Sequence, residues 1–138
     1  MTGKTLKVVV FALVIGAVLA LSACAASGAN DLDGTNWKLD SIGGVAVAHS
    51  ATLSFADGKI TGNGGCNSFG GGYKLDGSTI TISEPIASTL MACEGDVMDL
   101  ETNYLNALQS GPTFSKSGNQ LTLTTPDGMT LVFSSAQP

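Results

Sequence analysis

The 138-residue chain has no arginine, one histidine and one tryptophan, and only 12% of its residues are charged. Nucleic-acid binding rests on basic contacts to phosphate, whereas here six basic residues face eleven acids for a net charge of −5. No nucleic-acid partner is expected, and no polybasic patch is available for anionic lipid. His49 is alone and falls in a loop, where a solvated side chain is the simpler reading than a catalytic base. The three cysteines, Cys24, Cys66 and Cys93, show no Cys-x-x-Cys spacing, and no second histidine exists to complete a zinc set. Asp31-Leu32-Asp33-Gly34 and Glu94-Gly95-Asp96 do not continue into a calcium-ligand loop. Gly62-Asn63-Gly64-Gly65 lacks the spacing of a dinucleotide fingerprint, and Ser68 has no base nearby. The chain is therefore expected to be no enzyme and to need no metal or cofactor.

The apolar content is concentrated at the start. Lys4 and Lys7 precede Val8 to Leu21, an uninterrupted apolar run of 14 residues. A membrane-spanning helix needs about 20 such residues, so the run suits the core of a signal peptide. Leu21-Ser22-Ala23-Cys24 follows and resembles a bacterial lipobox, which implies cleavage before Cys24 and lipid on Cys24 itself. The plainer alternative is a secreted protein in which Cys24 has no role. On the lipobox reading, residues 1–23 are a lipoprotein signal peptide and 24–31 a small, polar tether. Residues 32–134 form one domain, and 135–138 a tail. Four lysines then face eleven acids, a charge of −7. Several acyl chains on one residue suffice for stable attachment, so lipid on Cys24 is the expected membrane anchor. Ala25 is not the aspartate that often retains lipoproteins in the inner membrane, which points to the outer membrane in a two-membrane host.

The domain alternates like a β protein. Thr35 to Ser41 places Trp37 and Leu39 on one face, with Asn36, Lys38 and Asp40 on the other. Thr52 to Phe55 turns at Asp57-Gly58 into Lys59 to Gly62. Tyr73 to Leu75 turns at Asp76-Gly77 into Thr79 to Ile82, which Pro85 ends. Val45 to Ala48 is ambiguous, and Ile86 to Met91 is expected to be extended and partly paired. Asp96 to Gln109 reads as the one helix: Val97, Leu100, Tyr104 and Leu108 form its apolar stripe, and Gly111-Pro112 stops it. Asp96 is expected to cap its start, with Asp99 and Glu101 suited to the positive end of the dipole. Thr113 to Lys116 follows. Gln120 to Thr124 and Met129 to Ser134 then pair through Pro126-Asp127-Gly128, with Leu121, Leu123, Leu131 and Phe133 inward. About eight short strands and one helix predict a small α+β domain, a strongly curved, barrel-like antiparallel sheet packed by that helix.

The stretch Gly58 to Gly77 holds eight glycines among its twenty residues. A flexible linker would share that composition, but Cys66, Asn67, Phe69 and Tyr73 have no use in one. An ordered connection between strands is expected. Asn67 suits a tight turn in which its side chain bonds its own backbone. The other reading makes Asn67, Phe69 and Tyr73 contacts for a ligand or partner.

Thr61-Gly62-Asn63-Gly64-Gly65-Cys66-Asn67-Ser68-Phe69 resembles the Gly-Cys-Asn signature of the META domain, or HslJ-type lipoprotein, family. Leu32-Asp33-Gly34-Thr35-Asn36-Trp37-Lys38-Leu39 is similar to that family's opening motif, and Ser88-Thr89-Leu90-Met91-Ala92-Cys93 to its Met-Ala-Cys motif. The resemblance spans about Leu32 to Phe133. It implies a compact β-rich fold with one helix and a role in stress response and envelope maintenance, with a poorly defined activity. Cys66 and Cys93 both lie in these motifs. They are the two thiols left once Cys24 is acylated, in a domain expected to reach an oxidising compartment. A Cys66–Cys93 disulfide is the expectation, and two buried reduced cysteines are the alternative. The functional expectation is a non-catalytic, lipid-anchored envelope protein, acting as a monomer. The alternative is a binding module or inhibitor whose negative charge steers it to a basic envelope protein such as a lysozyme. A thiol enzyme using Cys66 is a third possibility.

Overall fold

The computed structural model describes residues 31–136. The signal segment, Cys24 and most of the tether lie outside the described residues, as do the last two residues of the tail. Ten strands and one helix follow in order: β1 Thr35–Ile42, β2 Val45–Ala46, β3 Thr52–Ala56, β4 Lys59–Asn63, β5 Ser68–Asp76, β6 Thr79–Ile82, β7 Ala87–Ser88, α1 Gly95–Gln109, β8 Thr113–Ser117, β9 Gln120–Thr124 and β10 Thr130–Ser135.

Eight of these strands form a closed antiparallel barrel in the order β1-β3-β4-β5-β6-β8-β9-β10, with β10 pairing back onto β1. The closing register sets Trp37 opposite Ser135 and Leu39 opposite Phe133. Closure removes the free edges that an open antiparallel sheet would expose. The two-residue strands stand outside it, β2 against β1 and β7 against β5. The expected curved sheet with one helix is what forms.

Alternation decides which face is core. Trp37, Leu39, Leu53, Phe55, Ile60, Leu121, Leu123, Leu131 and Phe133 are all buried, each on the face its strand pattern assigned. Trp37 does not strand its polar atom: the indole N–H donates to Thr35 Oγ1 at 2.7 Å. The turn between β3 and β4 has positive φ at both Asp57 and Gly58, the geometry that matches strand twist. The Asp57 N–H also donates to Asp33 Oδ1 at 2.7 Å, so the chain's first turn and this hairpin brace each other.

The helix closes the end of the barrel where β1 finishes and β3 begins. Its buried residues are Glu101, Tyr104, Ala107 and Leu108. The Tyr104 hydroxyl donates to the carbonyl of Thr52 at 3.0 Å, and its ring meets Phe69 edge-on at 5.7 Å. Burial holds the Tyr104 phenol well above its ordinary pKa.

Three local expectations are corrected. The glycine-rich connection is short: β5 begins at Ser68, so Gly70, Gly71 and Gly72 are strand residues and only 64–67 connect. Gly71 and Gly72 admit the chain that crosses over them, since a Cβ on Gly72 would lie 2.8 Å from Ser83 Oγ and one on Gly71 would lie 3.3 Å from the Glu84 carbonyl. Asp96 does not cap the helix. Glu94 takes that position without a side-chain bond, and Asp96 instead lies 2.8 Å from His49 Nε2. That contact, with a backbone N–H, lowers the Asp96 pKa. Glu101 does not serve the dipole at the surface but turns inward.

Trp37→Ala should cost about 3–5 kcal/mol in chemical denaturation, the range for deleting a buried aromatic ring. A cost under about 1 kcal/mol, typical of surface sites, would contradict the burial seen here.

Candidate functional site

Two of the three motifs, the Gly-Cys-Asn and Met-Ala-Cys segments, meet at the helix end of the barrel. Glu101 reaches from α1 under residues 64–67. Its Oε2 accepts the backbone N–H of Asn67 at 2.6 Å and of Cys66 at 3.2 Å. Its Oε1 accepts the Asn67 side-chain amide at 2.7 Å. Every contact is donated to it, which suits a carboxylate, an acceptor at both oxygens. Gly64 makes the approach feasible, because a Cβ there would sit 2.7 Å from the Glu101 side chain.

Asn67 is the hub. Its amide nitrogen also donates to the Met91 carbonyl at 3.2 Å. Its side-chain oxygen accepts from the Met91 N–H at 2.7 Å and from the Thr89 hydroxyl at 2.8 Å. Among the described residues no buried side-chain polar atom is left without a partner. Asn67 is thus structural, but by another mechanism than the sequence suggested. It bonds two distant segments rather than its own backbone, and its φ is not positive. The Asx-type bond belongs to Asn63, whose Oδ1 accepts the Gly65 N–H at 2.8 Å.

Cys66 and Cys93 are joined in a disulfide with their Cα atoms 6.0 Å apart. A paired sulfur is no nucleophile, so the thiol-enzyme reading falls. Phe69 and Tyr73 are buried, Phe69 against Tyr104 and Tyr73 edge-on to Phe55 at 5.1 Å. The structure therefore does not gather Asn67, Phe69 and Tyr73 on an open surface.

What lies open here is the strap between β6 and α1. Residues 87–96 are exposed throughout, with Leu90 at 95% and Met91 at 58%. The strap is nonetheless held at four points: β7 pairs with β5, Thr89 N–H donates to the Ser68 carbonyl, Asn67 grips Met91, and the disulfide fixes Cys93. Beside the helix lies a groove of about 280 Å³ lined by Ile42, Val45, Val47, His49, Asp96 and Leu100. Val45 is 72% exposed at its rim.

Sequence reasoning missed Glu101. The signal was present: 97, 101, 104 and 108 follow helical spacing, so Glu101 falls inside the apolar stripe between Val97 and Tyr104. Nothing local in the sequence marks Leu90 and Met91 as exposed, since apolar side chains in an extended segment read equally well as core.

A closed antiparallel barrel plugged by one helix, with a Cys-Asn turn latched to the helix and to a disulfide-tied strap, defines the class of this domain. The META domain family model matches residues 30–138, and the chain belongs to that family. An NMR structure of a protein from Burkholderia xenovorans is similar, with TM-score 0.68 and 26% identity over 79% of this chain and 86% of the other. A second NMR structure gives TM-score 0.65 and 28% identity over 76% and 92%. The crystal structure of a DUF4847 family protein from Bacteroides vulgatus shares the fold alone, with TM-score 0.54 and 15% identity over 76% and 95%. No curated protein matches the chain.

Glu101→Ala should strand two backbone donors and the Asn67 amide, at about 1–3 kcal/mol for each group left unpaired in the interior. Glu101→Gln keeps the shape but sets an NH₂ against a donor, and should cost less than Glu101→Ala. Urea midpoints of the two variants and wild type check this order. Mass spectrometry of the non-reduced, alkylated protein should show Cys66 and Cys93 unmodified by alkylation. Reduction should lower stability by roughly 3–4 kcal/mol in the chain-entropy model for a loop of this size.

Proposed function

We propose that this protein is a non-catalytic, lipid-anchored component of the bacterial cell envelope that works by binding, in a stress or maintenance role of the kind the family resemblance implies. The observation that carries the reading is the Cys66–Cys93 disulfide. It engages both cysteines of the domain in structure, which leaves Cys24, at the end of the signal-like segment, as the cysteine without an assignment in the fold. A disulfide also suits a domain exported to an oxidising compartment.

The non-catalytic part of the reading rests on how the motif residues are used. Asn67, Glu101, Cys66 and Cys93 hold segments together: the side-chain oxygens and nitrogen of Asn67 and Glu101 are bonded to protein and the two sulfurs to each other. The acidic surface supports binding over lipid adsorption, because anionic lipid repels it.

The anchor is tested by metabolic labelling with a palmitate analogue and membrane fractionation. Wild type should carry label and sediment with membranes. Cys24→Ala should lose the label and either become soluble or remain uncleaved. A normally processed Cys24→Ala protein that stays membrane-bound would overturn the anchor.

A further inference from the structure

Leu90 is a large apolar side chain standing almost wholly in water, and Met91 beside it is more than half exposed. Single exposed apolar residues are ordinary. These two differ in how they are held. The Met91 N–H and carbonyl both bond the one Asn67 side chain, Thr89 bonds that same side chain, and Cys93 is covalently tied to Cys66. These four restraints, whatever they add to stability, also hold a solvent-facing strap in one shape. Rigid presentation of an apolar side chain lowers the ordering cost of association.

The surroundings are apolar and anionic together. A Cβ on Gly65, next to Cys66, would lie 3.4 Å from both Val97 and Leu100, so these half-buried helix residues continue the apolar surface from the strap's anchor point. Leu100 in turn lines the groove rimmed by Val45. Between residues 85 and 101 the chain carries Glu94, Asp96 and Asp99 at the surface and no lysine. The four lysines of the described residues lie on β1, β4, β5 and β8 instead.

Building on the binding role proposed above, we infer that Leu90 and Met91 form a rigid docking knob for a protein partner whose apolar socket is bordered by lysine or arginine. The knob supplies apolar contact, and the carboxylates around it supply orientation and long-range steering. The negative border disfavours anionic lipid and a second copy of this chain, since both would bring like charge to the contact.

Panning a random peptide display library on the full chain, purified in mild detergent, tests the surface. Leu90→Ser/Met91→Ser serves as the counter-selection target. Both sites are exposed, so the double variant should keep the wild-type melting temperature, which is measured alongside. Peptides enriched on wild type should combine an apolar residue with flanking Lys or Arg. They should bind the double variant at least tenfold more weakly, and Glu94→Lys/Asp99→Lys should weaken them as well. Binding should fall as salt rises. Peptides that bind both proteins equally, or that carry no basic residues, overturn the inference. So does a dimer in native mass spectrometry that the double variant loses, or capture by phosphatidylglycerol nanodiscs that requires Leu90 and Met91. None of these outcomes depends on Cys24, so a failed anchor and a failed knob are told apart.

Discussion

The Glu101 carboxylate is the contact on which the motif end of the molecule depends. It lies in the interior, where an unpaired charge would be heavily penalised. It is tolerated because three donors converge on it, two from the backbone of Cys66 and Asn67 and one from the Asn67 amide. Each partner has its own precondition. Gly64 must lack a Cβ for the carboxylate to enter, and Gly65, at φ +116°, must bend the chain so that two successive N–H groups point the same way. The helix must sit with its apolar stripe against the barrel end for Glu101 to reach. Removing any one of these leaves buried polar groups unmatched, which costs more than the bonds contribute when intact.

An apolar residue at 101 would fill space but would leave the Cys66 and Asn67 donors unanswered. The polar latch therefore follows from the turn, whose backbone N–H groups face inward and require an acceptor. The same turn hands its other bonds to the strap. Asn67 uses its amide nitrogen on Glu101 and Met91 and its oxygen on Met91 and Thr89, so one side chain couples helix, turn and strap. The disulfide works on the same two segments by a different route. It restricts the unfolded chain, whereas the Asn67 bonds orient the strap once folded. Reduction alone should consequently lower stability while leaving the Asn67–Met91 bonds in place.

Strand positions were legible because alternation is a strong constraint in a barrel: a slip of one residue would turn every inward side chain outward. Trp37, Leu39, Leu53 and Phe55 follow it without exception. The β5 start was not legible, because Gly70 to Gly72 have no side chains to alternate and glycine usually marks a turn. Gly71 and Gly72 are glycine because of the chain crossing over them, a contact absent from local sequence. The disulfide was foreseen from export and family motifs, while its geometry could only come from the fold. Asn67 was singled out for the right importance and the wrong bonds, since its partners lie 22 to 34 positions away. Glu101 is legible in the sequence as a carboxylate in the middle of the apolar stripe of α1.

The placement of the two ends connects architecture to the proposed role. The described chain begins beside β8, where Lys116 Nζ donates to the Asp31 carbonyl at 3.3 Å, and β1 starts next to the end of β10. The helix, the latch and the strap lie at the other end, where β3 begins and β4 finishes. With lipid on Cys24, the seven intervening peptide steps to Asp31 span at most about 25 Å even fully extended. The starting end of β1 would then stay near the bilayer, and the barrel would hold the Leu90–Met91 surface away from it. A closed barrel is stiff enough for such a spacer, since each strand is hydrogen-bonded on both sides. The acidic surface favours the same orientation, because carboxylates around the strap are repelled by an anionic leaflet and are free to meet basic groups beyond it.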